Sequence, residues 1–424
     1  MTVGRKHHTG RPHGASLFLV SAEGRAVQSV LKLFPRKDIA VAMKRVLLAS
    51  LFLPAVVAVI GWAQNRQPPQ PLPALQSPEV NADHRATFRL RAPNAQEVQL
   101  AVEGEKPLPM HKDDQGVWSV TTDPLEADFY VYSFVADGVR LIDPSNPLMQ
   151  PSVFGAESMV HVPGPGSIPW EVNDVPHGIL HQHFYKSAVV GDSRDFYVYT
   201  PPGYDFRAKR RYPVLCLLHG FGDDAKGWTV TGRANVILDN LIAQGKAVPM
   251  IVVMPLGYGV PEILSRDTRG IRDDALRRRN LDGFRQALIR EVIPQIENSY
   301  RVSKDRDSWA IAGLSMGGGE SLMTGLNALD RFAWIGAFSS GGRNGKFETD
   351  FPGLDAKANA RLHLLWIACG TEDHLIEPNR KFREWLTSKG IRHTDIETLG
   401  AHAWTVWRRN LANFVPLLFR KSTN

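Results

Sequence analysis

Cysteine is nearly absent, with two residues among 424 and no pair spaced as C-x-x-C. A dithiol redox centre would need such a pair, and no Cys/His cluster suits a structural zinc, so neither class is indicated. Cys216 in "VLCLLHG" and Cys369 in "LLWIACG" lie in short apolar runs that read as buried strands, where a free thiol behaves as a small hydrophobe. Net charge is missing from most of the chain as well. The formal +7 sits wholly in residues 1–45, where nine Lys and Arg face only Glu23 and Asp38; beyond them 41 basic residues balance 41 acidic ones. The pI near 9.3 therefore gives no ground for a nucleic-acid partner.

One apolar run stands out. Met43-Lys44-Arg45 precedes "VLLASLFLPAVVAVI", and Gly61-Trp62-Ala63-Gln64 follows it. A short positive region, an apolar stretch and a small-residue exit predict a secretory signal over 43–63, with cleavage near Ala63. On that reading Met43 is the initiator and residues 1–42 are an upstream extension. The mature protein would be secreted or periplasmic, without stable membrane association. An uncleaved anchor is the alternative, because the run is almost long enough to span a bilayer; Pro54 and the small residues near Ala63 favour cleavage.

At 424 residues and 43% apolar, the chain can hold more than one domain and a large core. Residues 64–78, "QNRQPPQPLPALQSP", are too rich in proline for a packed element and read as a linker. From 79 to 163 the pattern has period two: "ATFRLRAP", "EVQLAVEG", "GVWSVTT" and "DFYVYSFVADG", separated by Asp, Gly and Pro. Short alternating strands with regular turns predict a small immunoglobulin-like β-sandwich. Residues 164–177, containing "GPGSIPW", read as a hinge. From 178 to 424 strand-like and helix-like runs alternate. "PVLCLLHG", "PMIVVMPLG", "SWAIAG", "WIGAFSSG", "HLLWIACG" and "DIETLG" are the strands; the helices include one with Leu281, Phe284, Leu288, Val292 and Ile296 at helical spacing. This is α/β grammar, a mostly parallel sheet with helices on both faces, whose reactive groups gather at the strands' carboxyl ends.

Within it, Gly313-Leu314-Ser315-Met316-Gly317 lies between a strand and a helix, the setting in which G-x-S-x-G forms a nucleophile elbow. Glycines on both sides admit a turn that a Cβ would obstruct. A serine nucleophile needs a base and an acid to orient it, expected in later loops in the order acid, then His. Thr371-Glu372-Asp373-His374 follows one late strand and Ala401-His402-Ala403-Trp404 the next, which points to Asp373 and His402. Glu372 remains an alternative acid, and Asp395 and Glu397 are weaker ones. For the oxyanion, the amide of Met316 is one expected donor and that of Phe221 the other, with Gly220 as its substitute. No metal or organic cofactor is required by this chemistry.

Several of these stretches together carry a resemblance: "PVLCLLHGFGDDAKGW", "DNLIAQGKAVPMIVVMPLG", "IENSYRV", "AIAGLSMGGGESL", "GTEDHL" and "GAHAWTVWRRNL". Over roughly 178–419 the chain resembles a bacterial esterase family that includes carbohydrate esterase family one feruloyl and acetyl-xylan esterases and enterochelin-type esterases. "ATFRLRAPNAQEVQLAV", "GVWSVTTDPL", "YVYSFVADG" and "DPSNP" resemble the early-set sandwich of carbohydrate-binding module family forty-eight. The resemblance implies an α/β-hydrolase acting on ester-substituted carbohydrate, with Ser315, Asp373 and His402 as the triad. It also implies Trp228 and Trp404 near the acyl pocket; His219 is a further substrate-binding candidate. Ala401 stands where many relatives have glycine, and Phe221 where glycine is common.

Other features have plain explanations. Arg266, Arg269, Arg272, Arg277, Arg278 and Arg279 alternate with Asp267, Asp273 and Asp274, as on a solvated mixed-charge face. His181 and His183 have metal-like spacing but no companions nearby in sequence. Trp118, Tyr130 and Tyr132 suit either sugar stacking or core packing.

Overall fold

The computed structural model describes residues 73–265, 273–340 and 345–420. The upstream extension, the expected signal at 43–63, most of the linker, and Arg266, Arg269 and Arg272 lie outside the described residues. Among the described residues no helix is long and apolar enough to cross a membrane. Ala74–Asn424 forms one compact unit.

The first part of that unit is all β. Strands β1 (Glu79–Val80), β2 (Ala86–Arg91), β3 (Val98–Val102), β4 (Leu108–Pro109), β5 (His111–Lys112) and β6 (Val117–Thr121) are followed by β7 (Asp128–Ala136), β8 (Val139–Leu141), β9 (Met149–Ser152) and β10 (Gly155–Val162). They form one sheet in the order β1-β2-β6-β5 and another in the order β4-β3-β7-β10-β9, with β8 on β7. In β2 and β3 burial alternates residue by residue, which puts Phe88, Leu90, Val98 and Leu100 into a core shared with Trp118, Tyr132 and Phe134. Trp118, Tyr130 and Tyr132 are all buried, and each donates to a local acceptor: the Ala92 carbonyl, the Glu126 carbonyl and Asp143. They are core residues.

Strand β7 departs from simple alternation, because Asp128 to Phe134 are all buried. Tyr130, Tyr132 and Phe134 face the sandwich core, while Phe129 and Val131 join the core of the second part. The junction includes a buried ion pair: Arg408 meets Asp128 at 2.8 Å with both side chains fully enclosed, and also donates to the Thr231 and Phe129 carbonyls. The connecting segment expected as a hinge is pinned rather than loose. Asn240 donates to the carbonyls of Pro169 and Glu171, and Arg233 to that of Trp170.

The second part is built on eight strands: β11 (Ile179–Lys186), β12 (Ser193–Thr200), β13 (Val214–Leu218), β14 (Ile251–Pro255), β15 (Trp309–Leu314), β16 (Trp334–Phe338), β17 (Leu364–Gly370) and β18 (Thr394–Thr398). Their order is β11-β12-β14-β13-β15-β16-β17-β18. The two leading strands are antiparallel and the rest parallel, so the sheet is an α/β-hydrolase sheet. Strands β13 to β16 are buried at every residue, as a sheet covered by helices on both faces requires. The helix expected from Leu281 starts earlier, at Asp274, because Asp273 caps it by accepting from the amides of Ala275 and Leu276. Cys216 and Cys369 are buried and free, and burial pushes both thiols up to about 12.

Candidate active site

Strand β15 ends at Leu314, and Ser315 opens the helix Ser315–Leu326 with φ +49°, a left-handed conformation rare for a residue with a Cβ. Two close approaches hold this strained turn. A Cβ on Gly313 would lie 2.5 Å from the Gly317 carbonyl, and one on Gly317 2.4 Å from the His219 carbonyl. Only hydrogen fits at either place. The strand can therefore reverse into the helix within one residue, which leaves the serine hydroxyl clear of the sheet and the first helix amides, Met316 among them, without intrahelical acceptors.

The loops after β17 and β18 meet that hydroxyl. His402 Nε2 lies 3.0 Å from Ser315 Oγ, and His402 Nδ1 lies 2.8 Å from Asp373 Oδ2. Asp373 Oδ1 accepts from the Leu375 amide. Burial by itself would raise the Asp373 carboxyl, but the hydrogen bond and charge of His402, the Leu375 amide and the Ser339 hydroxyl hold it below the usual carboxylate range. It is therefore an anion at neutral pH and favours the proton on Nδ1, leaving Nε2 free to take one from Ser315. The alternative acids point elsewhere. Glu372 is exposed, Asp395 meets His393 at 3.2 Å, and Glu397 is held by Arg380 and Arg383.

The residues Asp373, His374 and His402 could offer ligand atoms within 4.8 Å of one another to a metal. An ion there would compete with the bonds that join Asp373, His402 and Ser315. His181 and His183 have separate protein partners, Thr200 and Tyr300.

Three of the expected residues need correction. Gly220 cannot replace Phe221 as an oxyanion donor, because its amide is given to Asp223 Oδ2 at 3.2 Å. Among the described residues the Phe221 amide has no such acceptor. His219 does not offer itself to a substrate: Nε2 accepts from the Gly257 amide, and Nδ1 donates to the Gly220 carbonyl. Burial also pushes its imidazole down to about 4, so it is a neutral strap between two turns. Trp228 is fully enclosed, its indole N–H bound to the Leu218 carbonyl and its ring edge-on to Trp404. Trp404 does border the site.

Ser315 borders two cavities. A cleft of about 430 Å³ with a mixed polar and aromatic lining is bordered on one side by Ser315, His402, Phe221 and Trp404, and on the other by sandwich residues that include Glu103 and Phe154. A smaller, mostly apolar cavity of about 150 Å³ also reaches Ser315 and is lined by Met316, Leu322 and Phe382 among others. The residues on the sandwich wall carried no signal in the sequence, because their neighbours in the site are distant along the chain. Trp407 and Ser339 were legible in hindsight. Trp407 lies one helical turn after Trp404, sets its ring edge-on to His402 and bonds Ser339, which closes a parallel strand end with φ +54°.

Comparison with known proteins agrees with this architecture. The chain is 32% identical over 374 residues to an endo-1,4-beta-xylanase/feruloyl esterase of Xylanibacter ruminicola, covering 84% of this chain and 48% of that one. It thus spans about half the length of that relative. The solved ferulic acid esterase of the anaerobic fungus Anaeromyces mucronatus is 26% identical with a TM-score of 0.52, over 60% of this chain and 96% of the other. The enterobactin esterase of Shigella flexneri shares the fold at 20% identity and a TM-score of 0.59, over 78% of this chain and 92% of the other. The family model described as "Putative esterase" matches residues 187–418, more than half of the chain, and the protein belongs to that family.

Proposed function

We propose that the chain is an exported serine carboxylic-ester hydrolase that removes feruloyl or acetyl groups from plant-type polysaccharides or their oligosaccharides. Ser315 Oγ attacks the ester carbonyl as His402 Nε2 takes its proton, with Asp373 orienting the ring and balancing the imidazolium. The amides of Met316 and Phe221 receive the oxyanion. Collapse of the tetrahedral intermediate breaks the C–O bond, and His402 protonates the departing alcohol. Water, deprotonated by the same imidazole, then attacks the acyl-enzyme and releases the acid, with Ser315 recovering its proton.

The observation that carries this reading is the unbroken line from Asp373 through His402 to Ser315, with contacts of 2.8 and 3.0 Å. The two cavities support a division of the ester between them. An apolar acyl tail suits the smaller one, and a sugar, with its hydroxyls and its apolar ring faces, suits the larger cleft of mixed polar and aromatic lining. A catecholate triester is less well matched. The one arginine that lines the cleft among the described residues, Arg140, is already engaged by Glu157.

The test is turnover of feruloylated and acetylated xylo-oligosaccharides, a catecholate triester and a simple aryl ester, with and without an added sugar acceptor. Release of ferulate or acetate without transfer products is expected. Ser315→Ala is expected to lower turnover by about 10⁴-fold or more and to abolish fluorophosphonate labelling. Comparable activity in that variant would remove Ser315 from the chemistry.

A further inference from the structure

The sandwich touches the reaction centre at two places, and both contacts are on loops that the chemistry needs. At the first, the turn after β3 reaches the histidine loop. Glu103 Oε2 accepts the amide proton of Trp404 at 3.0 Å, across 301 positions of sequence. Trp404 is the first residue of the helix Trp404–Phe414 and lies two residues beyond His402, so this bond caps the helix that the histidine loop enters. Gly104 beside it is packed so closely that a Cβ would lie 3.2 Å from that of Ala403 and 3.4 Å from that of Ala401, the two neighbours of His402.

At the second place, strand β9 and the turn after it reach the Gly-rich loop that carries the Phe221 amide. Gln150 Nε2 donates to Asp223 Oδ1 at 3.1 Å, and Ser152 Oγ to the Gly222 carbonyl at 2.7 Å. The Val153 amide donates to that same carbonyl at 2.9 Å. Asp223 in turn holds the Gly220 amide, so the sandwich bears on the backbone on both sides of Phe221. Ser315 needs no such support, because its turn is set by its own strand and helix. The histidine and oxyanion loops, by contrast, leave separate strands, β18 and β13; within the larger part Trp228 links them, bonded to the Leu218 carbonyl and edge-on to Trp404, and the sandwich adds a brace to each.

We propose that the sandwich is a positioning element of the ester-hydrolysing site, with Glu103 holding the His402 loop and the Gln150–Ser152 segment holding the turn that carries the Phe221 amide. This rests on the serine-esterase reading above. Glu103 is a positioning residue: it touches no reacting atom, and its effect passes through the Trp404 amide to the imidazole. A displacement of the order of 1 Å at such a group costs about a hundredfold in rate, so the contact has consequences well beyond one hydrogen bond. The role differs from glycan binding, which would strengthen capture of a polysaccharide and leave a small ester unaffected.

The experiment uses the full chain and a small aryl ester too short to span the sandwich. Glu103→Ala is expected to lower kcat about tenfold to a hundredfold with KM changed less than about twofold, and to slow fluorophosphonate labelling of Ser315 in proportion. Glu103→Gln keeps an oxygen that can accept from the Trp404 amide, and is expected to recover most of both rates. Gln150→Ala, which leaves Glu103 in place, is expected to lower kcat with KM unchanged, and serves as the deciding variant if Glu103→Ala does not fold. A folded Glu103→Ala protein that labels and turns over at the parent rate would overturn the proposal. So would a loss confined to KM, a folded Glu103→Gln variant as slow as Glu103→Ala, or an unaffected Gln150→Ala where that variant decides. If the parent protein neither labels nor cleaves the ester, the esterase reading itself fails; if it does both and ignores these substitutions, only the positioning role fails.

Discussion

Six residues of the sandwich, Ala86–Arg91, and six of the larger sheet, Trp309–Leu314, are strands of equal length with opposite burial. In the first every second side chain is covered; in the second all six are. The sandwich strand has one face on a core and the other toward solvent, so period two survives in its sequence. The sheet strand has helices on both faces, so its sequence is a plain apolar run. Strand β7 joins the two regimes. It belongs to the sandwich by pairing, yet seven successive residues are buried because its second face lies on the hydrolase core. One strand thereby makes the two parts a single packed body, and the smaller part can act as a wall and a clamp for the larger part's chemistry.

That comparison can be broken at several points. The largest effect belongs to the elbow, which depends on the larger sheet alone. Gly317→Ala would drive a Cβ to within 2.4 Å of the His219 carbonyl and displace both the nucleophile and the first helix amides. Turnover is expected to fall about a hundredfold or more, measured on the aryl ester. Parent-level activity would show that the turn yields without cost.

The next effect belongs to the junction. Removing Arg408 leaves Asp128 buried without its partner, and breaking an enclosed pair costs about 3–5 kcal/mol. Chemical denaturation of Arg408→Ala should show that loss as one cooperative transition. If the sandwich instead melts separately in the parent protein, the two parts are not one body.

The smallest effect is on pH dependence and is expected from the cleft. Burial raises the Glu103 carboxyl to about 7, against the pull of the Trp404 amide and Arg408. It raises that of Asp223 to about 8, with Glu103 adding to the shift. Both bind protons more tightly in the folded chain than in the unfolded one. Their contribution to stability is thus complete below the ordinary carboxylate range and is lost as pH climbs through about 7 and about 8. The melting temperature should decline over that interval, and less steeply in Glu103→Gln. Equal slopes in the two proteins would mean that Glu103 ionises alike in both states. Asp373, held below its ordinary range, works in the opposite sense and only in acid.

Much of the candidate site is legible in the sequence. G-x-S-x-G between an apolar strand and a helix located Ser315, and the order of later strand ends located Asp373 and His402; the structure brings these three side chains into contact. The failures have a common cause. Trp228 is expected near the acyl pocket from the family resemblance, and His219 is a further candidate beside the Gly-rich turn. Type does not reveal that the histidine's two nitrogens are already bonded, or that the indole points into the core. Gly220 is excluded as a donor by Asp223, three residues on, whose side chain occupies its amide.

What the sequence determined by itself is local. Periodicity set which segments are strands and helices, and paired glycines set where a serine could be turned out of a sheet, because both depend on backbone sterics over a few residues. What the tertiary structure decided is everything that needs two distant segments at once: which nitrogen is free, which amide is spent, and that a carboxyl group from the sandwich lines the cleft beside Ser315. Such contacts leave no periodic trace, since the chain between Glu103 and Trp404 is 300 residues long and only packing brings its ends together.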